Sequence, residues 1–191
     1  MLSWILAVAW FAFAVFAVRE GVLLDSPVHV IFFTLNILIA VLYAIRMPPK
    51  AYPKSYFPHV LAVLGTFYVF GFDPTAVDRG WPVLATVLMC SAGLFAIWAA
   101  VSLGTSFGLR PVLREVKTDG PYRLVRHPLY CSYVVMDMAE VLGHPTFWNA
   151  GVAVIGLGLL RWRAVEEERV LLVDAAYRTY RNRACGGLFL Q

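Results

Sequence analysis

The polar residues of this chain gather in two short clusters at the ends of apolar segments. The first polar cluster reads Gly120-Pro-Tyr-Arg-Leu-Val-Arg-His-Pro-Leu-Tyr130, and the second reads Arg161-Trp-Arg-Ala-Val-Glu-Glu-Glu-Arg169. An arginine can grip a carboxylate, and a histidine or a glutamate can accept a proton during a reaction. Because both clusters adjoin apolar segments, we expect one polar site at the edge of a membrane.

Two prolines shape the first polar cluster. Each restricts the residue before it, Gly120 or His127, away from the helical region, so the chain is extended or turned here. A helix then begins near Pro128, because proline suits the first helical position. The amides of that first turn can hold an anionic group, with Tyr122 and Tyr130 packed against a planar ring. Anchoring at the lipid headgroups is an equally good interpretation from the residues alone.

In the second polar cluster, Arg163 and Glu167 lie four positions apart, so on a continuing helix they share one face. The same face would approximately include Val170, Val173 and Tyr177. Such a pair is usually solvated and stabilises a helix by about 0.2–0.5 kcal/mol. Three consecutive glutamates near anionic lipids need another explanation, because the headgroups would repel them. A cationic partner or ligand, such as a sulfonium, would explain their presence.

The elements that position these clusters are apolar. Hydrophobic residues make up 60% of the chain and charged residues 15%, against about 45–50% and about 25% in soluble domains. The mean hydropathy is +0.70. Because backbone polar groups inside a bilayer must be satisfied within helices, this composition predicts an all-α, polytopic membrane bundle. Residues 1–191 are interpreted as a single membrane domain.

Six apolar segments support this bundle, and five to six of them are expected to cross. The first four have close to the roughly 17–25 residues needed for a crossing, so 1–103 is predicted to hold four transmembrane helices. The last two are shorter and are separated by Gly143-His-Pro145, which predicts a short helical hairpin. The first lacks the features of a signal peptide and is interpreted as a retained span. The segments are Leu2–Val18, Val28–Ile45, Tyr56–Phe72, Trp81–Leu103, Leu129–Leu142 and Thr146–Leu160.

The basic residues predict the orientation. If all six segments cross, 14 of the 16 lysines and arginines lie on one side, and only Arg19 and Arg79 lie on the other. By the positive-inside rule, the basic side faces the cytoplasm together with both termini and both polar clusters. The positive charge therefore reflects topology and attraction to membrane lipids, and nucleic acid is not an expected partner.

Other kinds of site are not indicated. The cysteines Cys90, Cys131 and Cys185 lack metal-ligand spacing, the histidines form no metal-binding pair, and no metal is expected. A Cys131 nucleophile beside His127 is disfavoured, because no third group is evident to orient the histidine. The sequence also lacks a phosphate-binding loop and a dinucleotide fingerprint.

Asp137 and Glu140 stand out within the fifth segment. An ionised aspartate at the centre of a membrane helix costs about 2.5–3.5 kcal/mol on insertion scales. The two residues line the bundle interior or a substrate path, or they lie at the outer interface because the segment is short. We favour the outer interface.

Together the motifs resemble the isoprenylcysteine carboxyl methyltransferase family and its phospholipid methyltransferase relatives. The resemblance is carried by the first polar cluster, by Glu167-Glu168-Arg-Val-Leu171 and by Tyr177-Arg-Thr-Tyr180, and it covers 104–183. It implies an integral membrane methyltransferase that uses S-adenosylmethionine. The cofactor-binding loop and a C-terminal helix would be cytoplasmic, and a lipophilic acceptor would enter from the bilayer.

The resemblance also implies roles for single residues, carried over by position. Arg163 would contact the substrate and Glu167 the cofactor, and these two would be the catalytic residues. Further cofactor contacts would fall on Arg114, Glu115, Val116, Lys117, Tyr122, His127, Pro128, Leu129 and Tyr130.

Within 104–183, the chain departs from the family pattern at two places. Cys131-Ser132 stand where a glycine often follows the first polar cluster, and the stretch between Leu171 and Tyr177 is about two residues short. The second departure leaves Glu166 and Glu168 as alternatives to Glu167.

Several functions stay open at this point. The acceptor could be a prenylated cysteine carboxylate, a phospholipid amine, a lipid-tailed phenol or a small thiol. A sterol-reductase-like enzyme that uses NADPH shares a related C-terminal architecture, although such enzymes are generally larger. A non-catalytic membrane protein with structural polar clusters is the third class.

Overall fold

The elements of the fold are helices throughout the described chain. The computed structural model describes residues 7–8, 10–12, 15, 26–50, 56–73, 81–109 and 111–183. Within these residues, the predicted all-α class is confirmed. The α-helices are α1 (Pro27–Ile45), α2 (Phe57–Phe67), α3 (Pro82–Leu103), α4 (Pro128–Gly143), α5 (Phe147–Leu171) and α6 (Ala175–Arg181), with 3₁₀ turns at Tyr68–Gly71, Gly104–Ser106 and Gly120–Arg123.

Two described helical runs, Pro27–Ile45 and Pro82–Ser106, are long and apolar enough to cross a membrane, and Phe57–Gly71 is a shorter apolar helix. Both long helices expose large apolar side chains, among them Val41 and Leu94, as expected where lipid is the solvent. These features support a membrane bundle. The count of six crossings and the orientation stay predictions. The segment Leu2–Val18 lies largely outside the described residues, as do Arg19, Lys54, Arg79, Arg110 and Cys185.

Helix α3 is the central element and packs on α4 and α1 through small side chains. Ala92, Ala96 and Ala100 are buried along it. At Gly93, an added Cβ would clash with Cγ2 of Ile31. Small residues therefore allow the close helix contacts that hold membrane bundles together.

The predicted hairpin of the last two apolar segments is present as α4 and α5. Helix α4 begins at Pro128, as the proline predicted, and the side chain of Thr146 caps α5 by accepting from the amide of Asn149. Asn149 is fully buried, where it accepts from the Asp73 amide at 2.9 Å and donates to the His144 carbonyl at 3.0 Å. This side chain ties the turn of the hairpin to the end of the Tyr68–Gly71 element.

The second helix of the hairpin continues beyond the apolar segment Thr146–Leu160, as expected for Arg163 and Glu167. α5 continues past Leu160 to Leu171, about 37 Å in all at 1.5 Å per residue. Both Arg163 and Glu167 are therefore on this helix. The predicted continuation of their face to Val173 and Tyr177 was wrong, because α5 ends first and Asp174 caps the separate helix α6.

Candidate active site

The three consecutive glutamates of α5 point in three directions, because successive helical residues are rotated by about 100°. Glu166 pairs with the exposed Arg169, within α5 itself. Glu167 accepts a 2.6 Å hydrogen bond from the Tyr130 hydroxyl and lines the central cavity. This geometry favours Glu167 over Glu166 as the glutamate that faces a ligand.

Glu168 joins three elements. It contacts Arg126 at 2.8 Å and His127 Nε2 at 3.3 Å, both just before α4, and Arg181 of α6 at 3.4 Å. Burial opposes ionisation of this carboxyl group, but the hydrogen bond with His127 and the positive charges of Arg126 and Arg181 outweigh it and lower its pKa. Glu168 is therefore ionised, and its contacts link α5 to the segment before α4 and to α6. The sequence analysis did not assign this role.

Tyr130 lies at the centre of the polar residues. Its ring stacks on His127, with centroids 5.3 Å apart and planes 9° apart, and the Arg163 guanidinium carbon lies 5.2 Å from its centroid. A cation over an aromatic face is an attractive arrangement. The two polar clusters predicted to form one site are thus in direct contact.

Arg163 is buried, so it is not the solvated residue of a surface pair. Its Nη2 donates to the Leu109 carbonyl at 2.8 Å, and its Nη1 donates to the Thr66 hydroxyl at 3.2 Å. These contacts join α5 to α2 and to the loop after α3. They hold the guanidinium in place beside the cavity.

The loop before the first polar cluster is anchored to the end of α1. Arg114 is buried, and its Nε donates to the Met47 carbonyl at 2.9 Å. The Lys50 amide donates to the Leu113 carbonyl at 2.7 Å. Lys117 and Glu115 form a more exposed pair at 2.6 Å. The predicted loop residues are therefore held at the same end of the bundle as Glu167.

A tyrosine cluster closes this end. Tyr122, Tyr177 and Tyr180 form one buried group, and the Tyr180 hydroxyl donates to the Tyr122 carbonyl at 2.6 Å. Burial raises the pKa of Tyr180 to about 12, so its hydroxyl remains a proton donor at neutral pH. The Tyr-x-x-Tyr spacing was visible in the sequence, but its contact with Tyr122 spans too many residues to be predicted from spacing.

One cavity of about 600 Å³ connects these residues with the interior of the bundle. Its polar end includes nine of the ten predicted cofactor residues together with Arg163. The exception is Pro128, which is buried and begins α4. Its other end is mainly apolar and is formed between α1, the Tyr68–Gly71 turn, α3 and α4. The residues there include Phe32, Leu35, Ile39, Val69, Phe70 and Met136.

Asp137 lies within the bundle rather than at the outer interface that we favoured for it. The residue is 6% exposed and lines the cavity. The Tyr68 hydroxyl donates to Asp137 Oδ2 at 2.7 Å. Glu140 also lines the cavity, and it contacts His144 at 3.0 Å. Of the two placements considered, the structure supports the interior one for Asp137.

Comparison with known proteins identifies the region that holds this site. Residues 84–173 match the model of the isoprenylcysteine carboxyl methyltransferase (ICMT) family. The match runs from α3 past the end of α5 and so includes both polar clusters. A search of curated proteins and a search of solved structures each returned no match. The match over residues 84–173 supports an ICMT-like family assignment, and this family suggests a membrane methyltransferase.

Proposed function

We propose that the protein transfers a methyl group from S-adenosylmethionine to a lipophilic acceptor, at a site on the cytoplasmic side of the membrane. The observation that carries this proposal is a cavity with two unlike ends. Charged and aromatic side chains surround one end, apolar helices surround the other, and Arg163 lines the same cavity. A water-soluble cofactor and a lipid tail need such unlike surroundings.

The polar end suits the parts of S-adenosylmethionine. Glu167 offers a carboxylate for a sulfonium, Arg114 and Lys117 offer cations for a carboxylate, and Tyr122 offers an aromatic ring. Among the described residues, the buried Nε atoms of Arg126 and Arg163 have no hydrogen-bond partner, and both side chains line the cavity. Because buried donors are normally satisfied, these atoms support a polar ligand in this space.

The chain's own residues act mainly by positioning. When bound, S-adenosylmethionine supplies a methyl group activated by a positively charged sulfur. Tyr130 fixes the Glu167 carboxylate by its hydrogen bond, and Arg163 can grip an acceptor carboxylate. Holding two reactants in the correct geometry can lower a barrier by several kcal/mol, up to about 7–11 in the best intramolecular cases.

The need for a proton acceptor depends on the acceptor group. A carboxylate or a thiolate needs none, whereas a phenol or an amine would lose a proton to a nearby base. Glu167 and His127 are the candidates, since both side chains line the cavity. An acceptor like an isoprenylcysteine carboxylate agrees best with the buried Arg163. A phospholipid amine, a phenolic lipid and a small thiol are the alternatives.

The acceptor would reach the site sideways from the bilayer. Val69 and Phe70 line the apolar end of the cavity and are 43% and 66% exposed. Accessible apolar side chains at this end of the cavity suit the passage of a lipid tail. Soluble ligands would instead arrive at the end with Glu167.

Two measurements test the proposal. Membranes that contain the protein are incubated with labelled S-adenosylmethionine, and labelled lipids are identified by mass spectrometry. We expect a methylated lipid with wild type and with Arg161→Ala, whose side chain is exposed, but not with Arg163→Ala. Titration of the detergent-purified protein with S-adenosylhomocysteine and with NADPH is the second measurement. Binding of NADPH alone would favour the reductase, and binding of neither would favour a non-catalytic protein.

A further inference from the structure

One face of α4 follows the cavity along its length. Tyr130, Tyr133, Asp137 and Glu140 all line the cavity, and their spacing of three, four and three positions places them on one side of a helix. Tyr130 belongs to the polar end with Arg163. Asp137 lies seven residues further, about 10.5 Å along the helix axis. The cavity therefore has a second polar position beyond the proposed methyl-transfer site.

Asp137 is an unusual residue for this position. An acidic side chain inside a membrane protein is costly, and such residues commonly mark a substrate or ion path. Met136 and Val134, its neighbours in the same helix, are buried apolar residues, so an apolar side chain would fit the surroundings. Packing of α4 alone thus gives no reason for a carboxyl group here.

The carboxyl group retains capacity for a further hydrogen bond. Among the described residues, Tyr68 supplies its one hydrogen bond, to Oδ2, whereas a carboxylate offers about four acceptor positions on its two oxygens. Glu140 differs, because it is engaged by His144. Asp137 can therefore accept a hydrogen bond from a molecule in the cavity while Tyr68 holds it in place.

We propose that Asp137, held by Tyr68, is a specificity-determining residue that selects a lipophilic acceptor with a hydrogen-bond donor, such as a hydroxyl, in its apolar part. The donor would lie about 10 Å from the head group that Arg163 holds, given the helical rise between Tyr130 and Asp137. This inference rests on the proposed function, because it places the acceptor head beside Arg163. The inference restricts the acceptor to lipids whose tail carries a polar group at this depth.

The wild-type protein gives the first test. Detergent-purified protein saturated with S-adenosylhomocysteine is titrated with decanoate, β-hydroxydecanoate and ω-hydroxydecanoate. One additional hydrogen bond corresponds to about fivefold in affinity. We expect ω-hydroxydecanoate to bind about fivefold more tightly than decanoate, and β-hydroxydecanoate to show no such gain, because its hydroxyl lies next to the head group. Equal affinity for all three compounds would overturn the proposal.

Variants assign the preference to the residue. Asp137→Leu should remove the advantage of ω-hydroxydecanoate while the affinities for decanoate and S-adenosylhomocysteine stay unchanged. Met138→Leu, at an exposed neighbour of Asp137, should keep the advantage. If Asp137→Leu does not fold, Tyr68→Phe serves instead: it removes the hydroxyl that holds the Asp137 carboxyl group and should reduce the preference for the ω-hydroxyl over the β-hydroxyl. An advantage that persists in folded Asp137→Leu, or that is undiminished in Tyr68→Phe, contradicts the assignment.

The same preparations separate this inference from the proposed function. The protein could fail to bind S-adenosylhomocysteine and still prefer ω-hydroxydecanoate in titrations without S-adenosylhomocysteine. That result would refute the methyltransferase proposal but support the role of Asp137. Binding of S-adenosylhomocysteine without any hydroxyl preference would refute the recognition site alone.

Discussion

The Tyr130 hydroxyl donates a 2.6 Å hydrogen bond to Oε2 of Glu167, across 37 positions of sequence. This bond joins the first turn of α4 to the last turns of α5, and it aligns the carboxylate beside the cavity. The same tyrosine ring lies under the guanidinium of Arg163. Tyr130 therefore couples the proposed cofactor contact to the proposed substrate contact.

Removal of the Tyr130 hydroxyl should weaken cofactor binding. Tyr130→Phe keeps the ring that contacts His127 and Arg163 but leaves Glu167 without its donor. Because a hydrogen bond to a charged group contributes about 1.5–3 kcal/mol, we expect an affinity for S-adenosylhomocysteine about tenfold lower by calorimetry. Tyr133→Phe, in a residue that lines the same cavity, is the control and should bind normally. Unchanged affinity in Tyr130→Phe would show that this bond does not position Glu167 for the cofactor.

Glu168 should matter more for stability than its neighbour Glu166. Glu168→Gln removes the charge that faces Arg126, whose side chain is 4% exposed, and leaves that guanidinium buried without its counterion. We expect a loss of about 2–4 kcal/mol in unfolding free energy, since breaking a buried ion pair costs about 3–5 and this glutamate is partly exposed. Glu166→Gln breaks a pair with an exposed arginine and should change stability by less than about 0.5 kcal/mol. Equal melting temperatures for the two variants in detergent would show that the ion pairs of Glu168 do not stabilise the fold.

The contribution of Glu168 should depend on pH in one direction. Its pKa in the folded protein is lowered from the ordinary value of 4.5, so its contribution to stability is fully present above about pH 4.5. That contribution is lost as the pH falls through the lowered pKa. The stability difference between wild type and Glu168→Gln should therefore be largest near neutral pH and shrink in acid. A stability difference between the two proteins that grows as the pH falls would contradict a lowered pKa for Glu168.

Gly120 should resist substitution. Its φ is +58°, and an added Cβ would lie 2.8 Å from the Ser102 hydroxyl of α3. A left-handed conformation costs a non-glycine residue about 1–2 kcal/mol, and the contact adds to that cost. Gly120→Ala should therefore lower the melting temperature, whereas Gly151→Ala should leave it unchanged or raise it, because Gly151 is helical and open. A Gly120→Ala protein as stable as wild type would show that the turn before α4 tolerates another backbone conformation.

Local sequence rules were sufficient for the start of α4 and for the hairpin. Proline restricts its own backbone and that of the preceding residue, so Pro128 could be placed without knowledge of any neighbour. The end of α5 at Leu171 could not be predicted, because hydropathy marks where a chain leaves lipid, not where its helix ends. Arginine and glutamate are good helix formers, and the helix therefore continues through the second polar cluster.

Contacts between distant segments could not be predicted. Tyr68 and Asp137 are 69 positions apart, and Arg163 and Thr66 are 97 apart. Asp137 was noticed in the sequence, but its partner and its depth follow from the packing of α4 against the Tyr68–Gly71 turn. The choice among three adjacent glutamates likewise requires the rotation of α5, which neighbouring helices determine.

The affinity of two variants for S-adenosylhomocysteine tests the central proposal most directly. Calorimetry on detergent-purified protein compares wild type with Glu167→Ala and Arg163→Ala, whose side chains line one cavity from the same helix. We predict that Glu167→Ala loses binding, whereas Arg163→Ala keeps it and loses methyl transfer. Equal affinity of wild type and both variants would contradict the assignment of Glu167 to the cofactor and of Arg163 to the acceptor.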